Sequence, residues 1–398
     1  MAETDNLSVV REAPVLLPTV AAPEAMLQVI ALALGMDPNT RVELQKPDVN
    51  FLQEVAKLPV DFSGMPSGTD VYAMRNWVKD VLTDGPLGKY RANLGLNLRR
   101  IPAQEIRKEI FTVSRTDGNG SYGFWVFEPV SAQVDNQASS RPAILMFHGG
   151  GWIHGDPSGD EALSKAFASE LDAVVFGIDY RLAPENPLPT PLDDCSDALQ
   201  WVINNASTYN IDINRIGLWG ASAGGHLAAN VALRCAREKP TSEKPALALV
   251  SLVVPVTAHP KAETRFKGQR SLPLSQSEQL FVDATPPPEA AVHEMEKLFD
   301  FLTGGNITPF DPIVSPLTVE SAPYHAPTLI TVAASDVLCA QGLAYATLLR
   351  SFGVDVSEDV LPGVPHMFTM PVNATVARQW HERQIDAFAK AFGVKFVS

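Results

Sequence analysis

From residue 108 onward, apolar positions cluster into short runs at 143–147, 173–178, 216–219, 247–254, 328–332 and 354–361. Each run has the length of a strand, and most lack the polar alternation of a half-exposed one. They therefore predict strands buried on both faces. Helix-like segments separate the runs, and that alternation predicts a mostly parallel sheet with helices on both sides. Ahead of them, residues 109–114 and 123–127 flank Asp117-Gly118-Asn119-Gly120, a hairpin signal that adds an antiparallel edge.

Two stretches fall outside this rhythm. Residues 26–107 read as helices between Pro and Gly breaks, following a tail at 1–25 that mixes prolines and acids without period. The clearest helix covers 70–81, where Val71, Met74, Trp77, Val78 and Val81 recur at helical spacing. Residues 257–308 carry Pro286-Pro287-Pro288 and then a helix-like 289–302, more chain than a β/α crossover needs. The expected division is a tail (1–25), a helical N-terminal part of a cap (26–107), an α/β body (108–256 and 309–398) and a cap insertion (257–308). The two cap parts should meet over the C-terminal edge of the sheet.

Composition narrows the function without defining it. The chain has 398 residues, 45% hydrophobic and 19% charged, enough to bury a sizeable core. A net charge of −14 argues against a nucleic-acid or anionic-membrane surface. Cys195, Cys235 and Cys339 are odd in number and far apart, with neither disulfide nor metal spacing, which suits free thiols in a reducing compartment. The early apolar run 26–35 is too short to span a bilayer and follows the acidic Glu3 and Asp5, so a cytoplasmic protein without a membrane span is expected.

The chemistry gathers at strand ends. Arg215-Ile216-Gly217-Leu218-Trp219 enters Gly220-Ala221-Ser222-Ala223-Gly224-Gly225, and a helix-forming run leaves it. A strand can turn that sharply into a helix only past small neighbours, and the turn leaves the Ser222 hydroxyl exposed: a nucleophile elbow. An incidental serine in a small-residue turn is the plain alternative. After the third predicted strand comes His148-Gly149-Gly150-Gly151-Trp152, where the glycines let amides converge on one point. The expected oxyanion donors are the N–H groups of Gly149, Gly150 and Ala223. A serine also needs a base, and the base an orienting acid. Asp336 follows the seventh predicted strand and His366 the eighth, on the same edge as Ser222, in the order Ser, Asp, His of α/β-hydrolases. His366 is the expected general base, and Asp336 would fix its tautomer. Asp193, Asp194 and Asp197 are rivals for the acid, but they open a helix, where acids are favoured structurally. Trp152, Phe281, Leu298 and Phe301 are candidates for an apolar pocket wall, with ordinary core packing as the alternative.

The motifs HGGGW, Asp179-Tyr180-Arg181-Leu182-Ala183-Pro184-Glu185, Leu192-Asp193-Asp194-Cys195 and GASAGG, with the following Asp and His, resemble the hormone-sensitive-lipase-like α/β-hydrolases over residues 108–395. That resemblance implies an eight-stranded sheet with a helical cap, and hydrolysis of a small-molecule carboxylic ester (or lactone) without cofactor or metal. It makes Tyr180, Arg181 and Glu185 structural support. The chain departs from the family pattern in three places. Ala221 stands where an acid is frequent, the segment after Asp336 lacks the usual acidic pair, and the N-terminal part is long. An acyltransferase or cyclase could use the same three side chains. A small-ligand receptor on this scaffold is a further class, and retention of His366 counts against it.

Overall fold

The computed structural model describes residues 43–60, 70–83, 105–130, 140–262 and 289–395, with positions 36, 66, 85 and 87. The tail 1–25, insertion residues 263–288 and the pocket candidate Phe281 lie outside the described residues. Among the described residues eight strands form one sheet: β1 (Ile106–Ser114), β2 (Ser121–Pro129), β3 (Arg141–Phe147), β4 (Val174–Asp179), β5 (Ile211–Ala221), β6 (Leu249–Val253), β7 (Thr328–Ala333) and β8 (Val356–Leu361), in the order β1-β2-β4-β3-β5-β6-β7-β8. The β1–β2 and β2–β4 pairs are antiparallel and the remaining pairs parallel, as the hairpin and the apolar runs predict.

Side chains on a strand alternate between faces, so an unbroken apolar run must find cover on both. On β3, Ala143, Leu145 and Phe147 join one core while Ile144 and Met146 join the other. The first core is closed by α4 (Thr190–Asn204), α5 (Ala223–Cys235) and α7 (Cys339–Ser351), through residues such as Leu192, Val202, Leu227 and Leu349. The second is closed by α3 (Glu161–Leu171) and α8 (Thr375–Phe392), through Phe167, Leu171, Trp380 and Phe388.

Two short helices from the N-terminal region reach this body. Asp48 caps α1 (Val49–Val55) by accepting from Phe51 N at 2.7 Å, and Phe51, Leu52 and Val55 enter the second core. Asp70 caps α2 (Val71–Trp77) in the same way, accepting from Ala73 N at 3.0 Å, and the chain continues as a π-type turn over Val78–Thr83. From the insertion, α6 (Glu289–Thr303) lays Phe299 and Leu302 onto the first core. Among the described residues no helix is long and apolar enough to cross a membrane.

Candidate active site

Ser222 lies between the last residue of β5 and the first of α5, at φ 55° and ψ −116°. A side chain at positive φ is strained and persists only where its surroundings fix it. Here Ser222 N donates to Val253 O at 2.8 Å, and Ser222 O accepts from His226 N at 3.0 Å and Val256 N at 3.3 Å. The small neighbours are a steric requirement. A Cβ on Gly220 would fall 2.2 Å from Gly224 O, and one on Gly224 would fall 1.9 Å from Phe147 O.

The loops after β7 and β8 are stitched together, with Ala334 N donating to Leu361 O (2.9 Å) and Ser335 N to Val364 O (3.1 Å). The N-terminal segment ties into both. Gly363 N donates to Leu44 O at 2.7 Å, Asp48 N to Gly363 O at 2.8 Å, and Ser335 Oγ to Gln45 O at 3.1 Å. In this frame His366 Nδ1 lies 2.7 Å from Asp336 Oδ2, and His366 Nε2 lies 2.8 Å from Ser222 Oγ. The other Asp336 oxygen accepts from Leu338 N at 3.0 Å. A carboxylate can only accept, so the imidazole donates from Nδ1 and Nε2 is left to accept the serine hydroxyl. Burial alone pulls the His366 pKa down. The charge and hydrogen bond of Asp336 outweigh it, and the net shift is upward from 6.5.

Facing the serine is the loop after β3. Gly149 O lies 2.8 Å from His148 Nδ1, and Gly150 O accepts from Ile153 N and His154 N, each at 3.1 Å. No described residue accepts from the amides of Gly149 or Gly150. A Cβ on Gly150, at φ 123°, would fall 2.1 Å from His154 O, so only glycine fits there. His148 braces the loop by stacking on Tyr180 (centroids 4.2 Å apart, 7° between planes), whose hydroxyl donates to His148 O at 2.7 Å. Burial holds the His148 pKa down to about 4, so its ring stays neutral near pH 7.

Ser222, Asp336, His366, Gly149 and Gly150 border a cavity of about 470 Å³, walled also by Leu87, Leu163, Met295, Leu298 and Phe368. Ala223, the first residue of α5, is buried. Leu298 and Phe301 both pack against a small cluster of Val71, Ile153 and Ala183, and of the two Leu298 also lies on the cavity wall. Trp152 is among the residues that line the cavity and is fully buried, with its indole against His226 and Phe299. The rival acids are engaged elsewhere. Asp194 accepts from Arg181 Nε (2.9 Å), Arg181 Nη2 (2.7 Å) and Arg115 Nη1 (3.2 Å), Asp193 pairs with Arg234 and Asp197 with Tyr122. Among the described residues no group of three or more His, Cys, Asp or Glu could hold a metal ion.

Sequence reasoning did not single out Arg75 of α2, which reaches the carbonyl of Ile153 just beyond the glycine loop. A signal existed: four residues after Val71 and next to Met74, it sits half-buried beside the buried positions of its helix, where a charge needs a partner. Gln341, in the segment that departs from the family pattern, accepts from Thr257 N at 2.6 Å and Ala258 N at 2.9 Å, and so fixes the chain leaving β6.

A family model described as the alpha/beta hydrolase fold matches residues 144–370. An AB hydrolase superfamily protein of Schizosaccharomyces pombe is 32% identical over 235 residues, covering 56% of this chain and 62% of that protein's length. The carboxylic ester hydrolase LipN of Mycobacterium tuberculosis is 30% identical over 293 residues, 73% of this chain and 72% of LipN. Among solved structures, that of vibralactone cyclase superposes with a TM-score of 0.71 at 25% identity, covering 87% of this chain and 95% of the cyclase. The chain belongs to the α/β-hydrolases, within their hormone-sensitive-lipase-like carboxylesterase family.

Proposed function

We propose that the protein is a serine carboxylesterase that hydrolyses a small to medium carboxylic ester or lactone through an acyl-enzyme on Ser222. The class, a hydrolase acting on ester bonds, is that of its relatives. One observation carries the finer reading: the continuous chain from Ser222 Oγ through His366 to Asp336, with links of 2.8 and 2.7 Å, bordering a cavity.

In this mechanism His366 Nε2 removes the Ser222 proton as the oxygen attacks the acyl carbonyl. The oxyanion is received by the amides of Gly149, Gly150 and Ala223. His366 returns the proton to the departing alcohol, and water then repeats the sequence on the acyl-enzyme. Asp336 keeps the proton on Nδ1 and stabilises the imidazolium. Val78, Thr83 and Leu87 of the N-terminal region, with Met295 and Leu298 of α6, act as cap residues that enclose the acyl and alcohol groups.

The test is turnover of short-chain p-nitrophenyl esters by the full chain. The reading requires hydrolysis by wild type that disappears in Ser222→Ala with the fold retained; an equally active Ser222→Ala protein defeats it. The likeness to a solved cyclase favours one second reading, in which the same acyl-enzyme is captured by a hydroxyl instead of water. That variant of the chemistry would give acylation with negligible hydrolysis, relieved by an added alcohol.

A further inference from the structure

We propose that Arg75, in the N-terminal region, is a positioning residue that restrains the Gly150–Gly151 peptide, adjoining the Gly150 amide, and thereby the oxyanion site. The proposal rests on the reading of Gly150 as an oxyanion donor.

The guanidinium makes four hydrogen bonds across two loops. Nε donates to Ile153 O at 2.6 Å and Nη2 to Ala183 O at 2.9 Å, while Nη1 and Nη2 donate to the two Glu185 oxygens at 2.8 Å each. Ala183 N in turn donates to Trp152 O at 2.9 Å. The loop so held carries unfavourable backbone angles at consecutive positions. Gly150, Gly151 and Trp152 are consecutive positive-φ residues, at 123°, 58° and 64°, and Trp152 lacks the freedom of glycine.

The link to the site runs through one rigid unit. The Ile153 carbonyl and the His154 N–H belong to the same planar peptide, so fixing one end orients the other. Arg75 holds the carbonyl end, and the N–H end donates to Gly150 O at 3.1 Å. The Gly150–Gly151 peptide is thus restrained from outside the loop; its own N–H is that of Gly151, and the Gly150 N–H that would meet the oxyanion lies on the preceding peptide, joined to it through the Gly150 Cα. Only a planar fork serves this set of acceptors at once; a lysine ammonium on its flexible stem cannot span them. Glu185, in the segment after β4, neutralises the fork and fixes its plane.

The experiment compares wild type, Arg75→Ala and Arg75→Lys as full chains against a short p-nitrophenyl ester, with thermal melts alongside. An oxyanion contact is made in the transition state and not in the ground state, so its misalignment lowers kcat and leaves KM largely in place. The expected kcat loss in Arg75→Ala is about ten- to a hundredfold, with a smaller loss in Arg75→Lys. Millimolar guanidinium, far below denaturing concentrations, should restore part of kcat in Arg75→Ala and nothing in wild type. A purely structural role predicts no such rescue. The proposal is overturned by a folded Arg75→Ala or Arg75→Lys protein with wild-type kcat, by a loss confined to KM, or by a kcat loss that guanidinium leaves unchanged. Absence of ester turnover in wild type would instead strike the esterase reading itself.

Discussion

Replacing Asp336 by Asn changes one atom at the far end of the proposed relay, and the structure dictates how the imidazole must respond. The Asp336 side chain is 1% exposed, with one oxygen on His366 Nδ1 at 2.7 Å and the other receiving Leu338 N at 3.0 Å. In the variant, the amide oxygen must take the Leu338 N–H, because the amide NH2 cannot accept. The NH2 then faces Nδ1, which must become an acceptor. The ring proton moves to Nε2, where it points at Ser222 and removes the base. The charge term acts in the same direction. An imidazolium and a carboxylate about 4 Å apart attract by about 4 kcal/mol at an effective dielectric near 20, and each 1.36 kcal/mol is about tenfold in rate. Losing the charge alone therefore predicts about a thousandfold, and the wrong tautomer brings the total toward about ten-thousandfold. The assay is kcat on a short-chain p-nitrophenyl ester at pH 7 to 8, with circular dichroism and a thermal melt to establish the fold. A folded Asp336→Asn protein within tenfold of wild type would refute the assignment of the acid.

Three further outcomes follow from the same geometry. Because the His366 pKa is raised above 6.5 and the base must be neutral, kcat/KM should fall as pH drops through a value above 6.5; in Asp336→Asn this acid limb should shift downward, and a wild-type limb below 6.5 would contradict the reading. Gly224→Ala puts a Cβ 1.9 Å from Phe147 O, so β3 and α5 must separate; denaturant titration should register a loss of about 1–3 kcal/mol with impaired turnover, and an unperturbed variant would show the elbow to be less tightly packed than described. Asp194→Ala leaves Arg115 and Arg181 without their buried carboxylate, a loss of about 3 kcal/mol given that both guanidinium groups keep some solvent contact; the melt should drop markedly while protein that remains folded still hydrolyses ester, and an unchanged melt would count against this pairing.

The sheet was legible because parallel strands covered on both faces leave continuous apolar runs, and 143–147 or 328–332 have no other economical reading. Strand ends were less so. β5 begins at Ile211 and not at Ile216, since Arg141 pairs with Ile211 across an irregularity that the polar Asp212-Ile213-Asn214 stretch hides. β8 is an edge strand carrying Glu358 and Asp359, so its periodicity is faint. The gathering of Ser222, Asp336 and His366 could be anticipated because each directly follows a parallel strand, and such residues share an edge whatever lies between them. Contacts that join remote segments leave no such trace. Arg75 meets Glu185 across 110 positions, and Ser335 meets Gln45 across 290, with no period or motif linking either pair. Likewise the spacing of Leu298 and Phe301 predicted an amphipathic helix without telling which residue would face the cavity.

The role of Ser222 as nucleophile is open to direct test by mapping a covalent adduct. The folded full-length protein is treated with a serine-directed fluorophosphonate, digested and analysed by mass spectrometry. One modification is expected, on Ser222, with ester hydrolysis lost in proportion to its occupancy. An adduct on a different residue, or full hydrolysis by protein quantitatively labelled at Ser222, would contradict it.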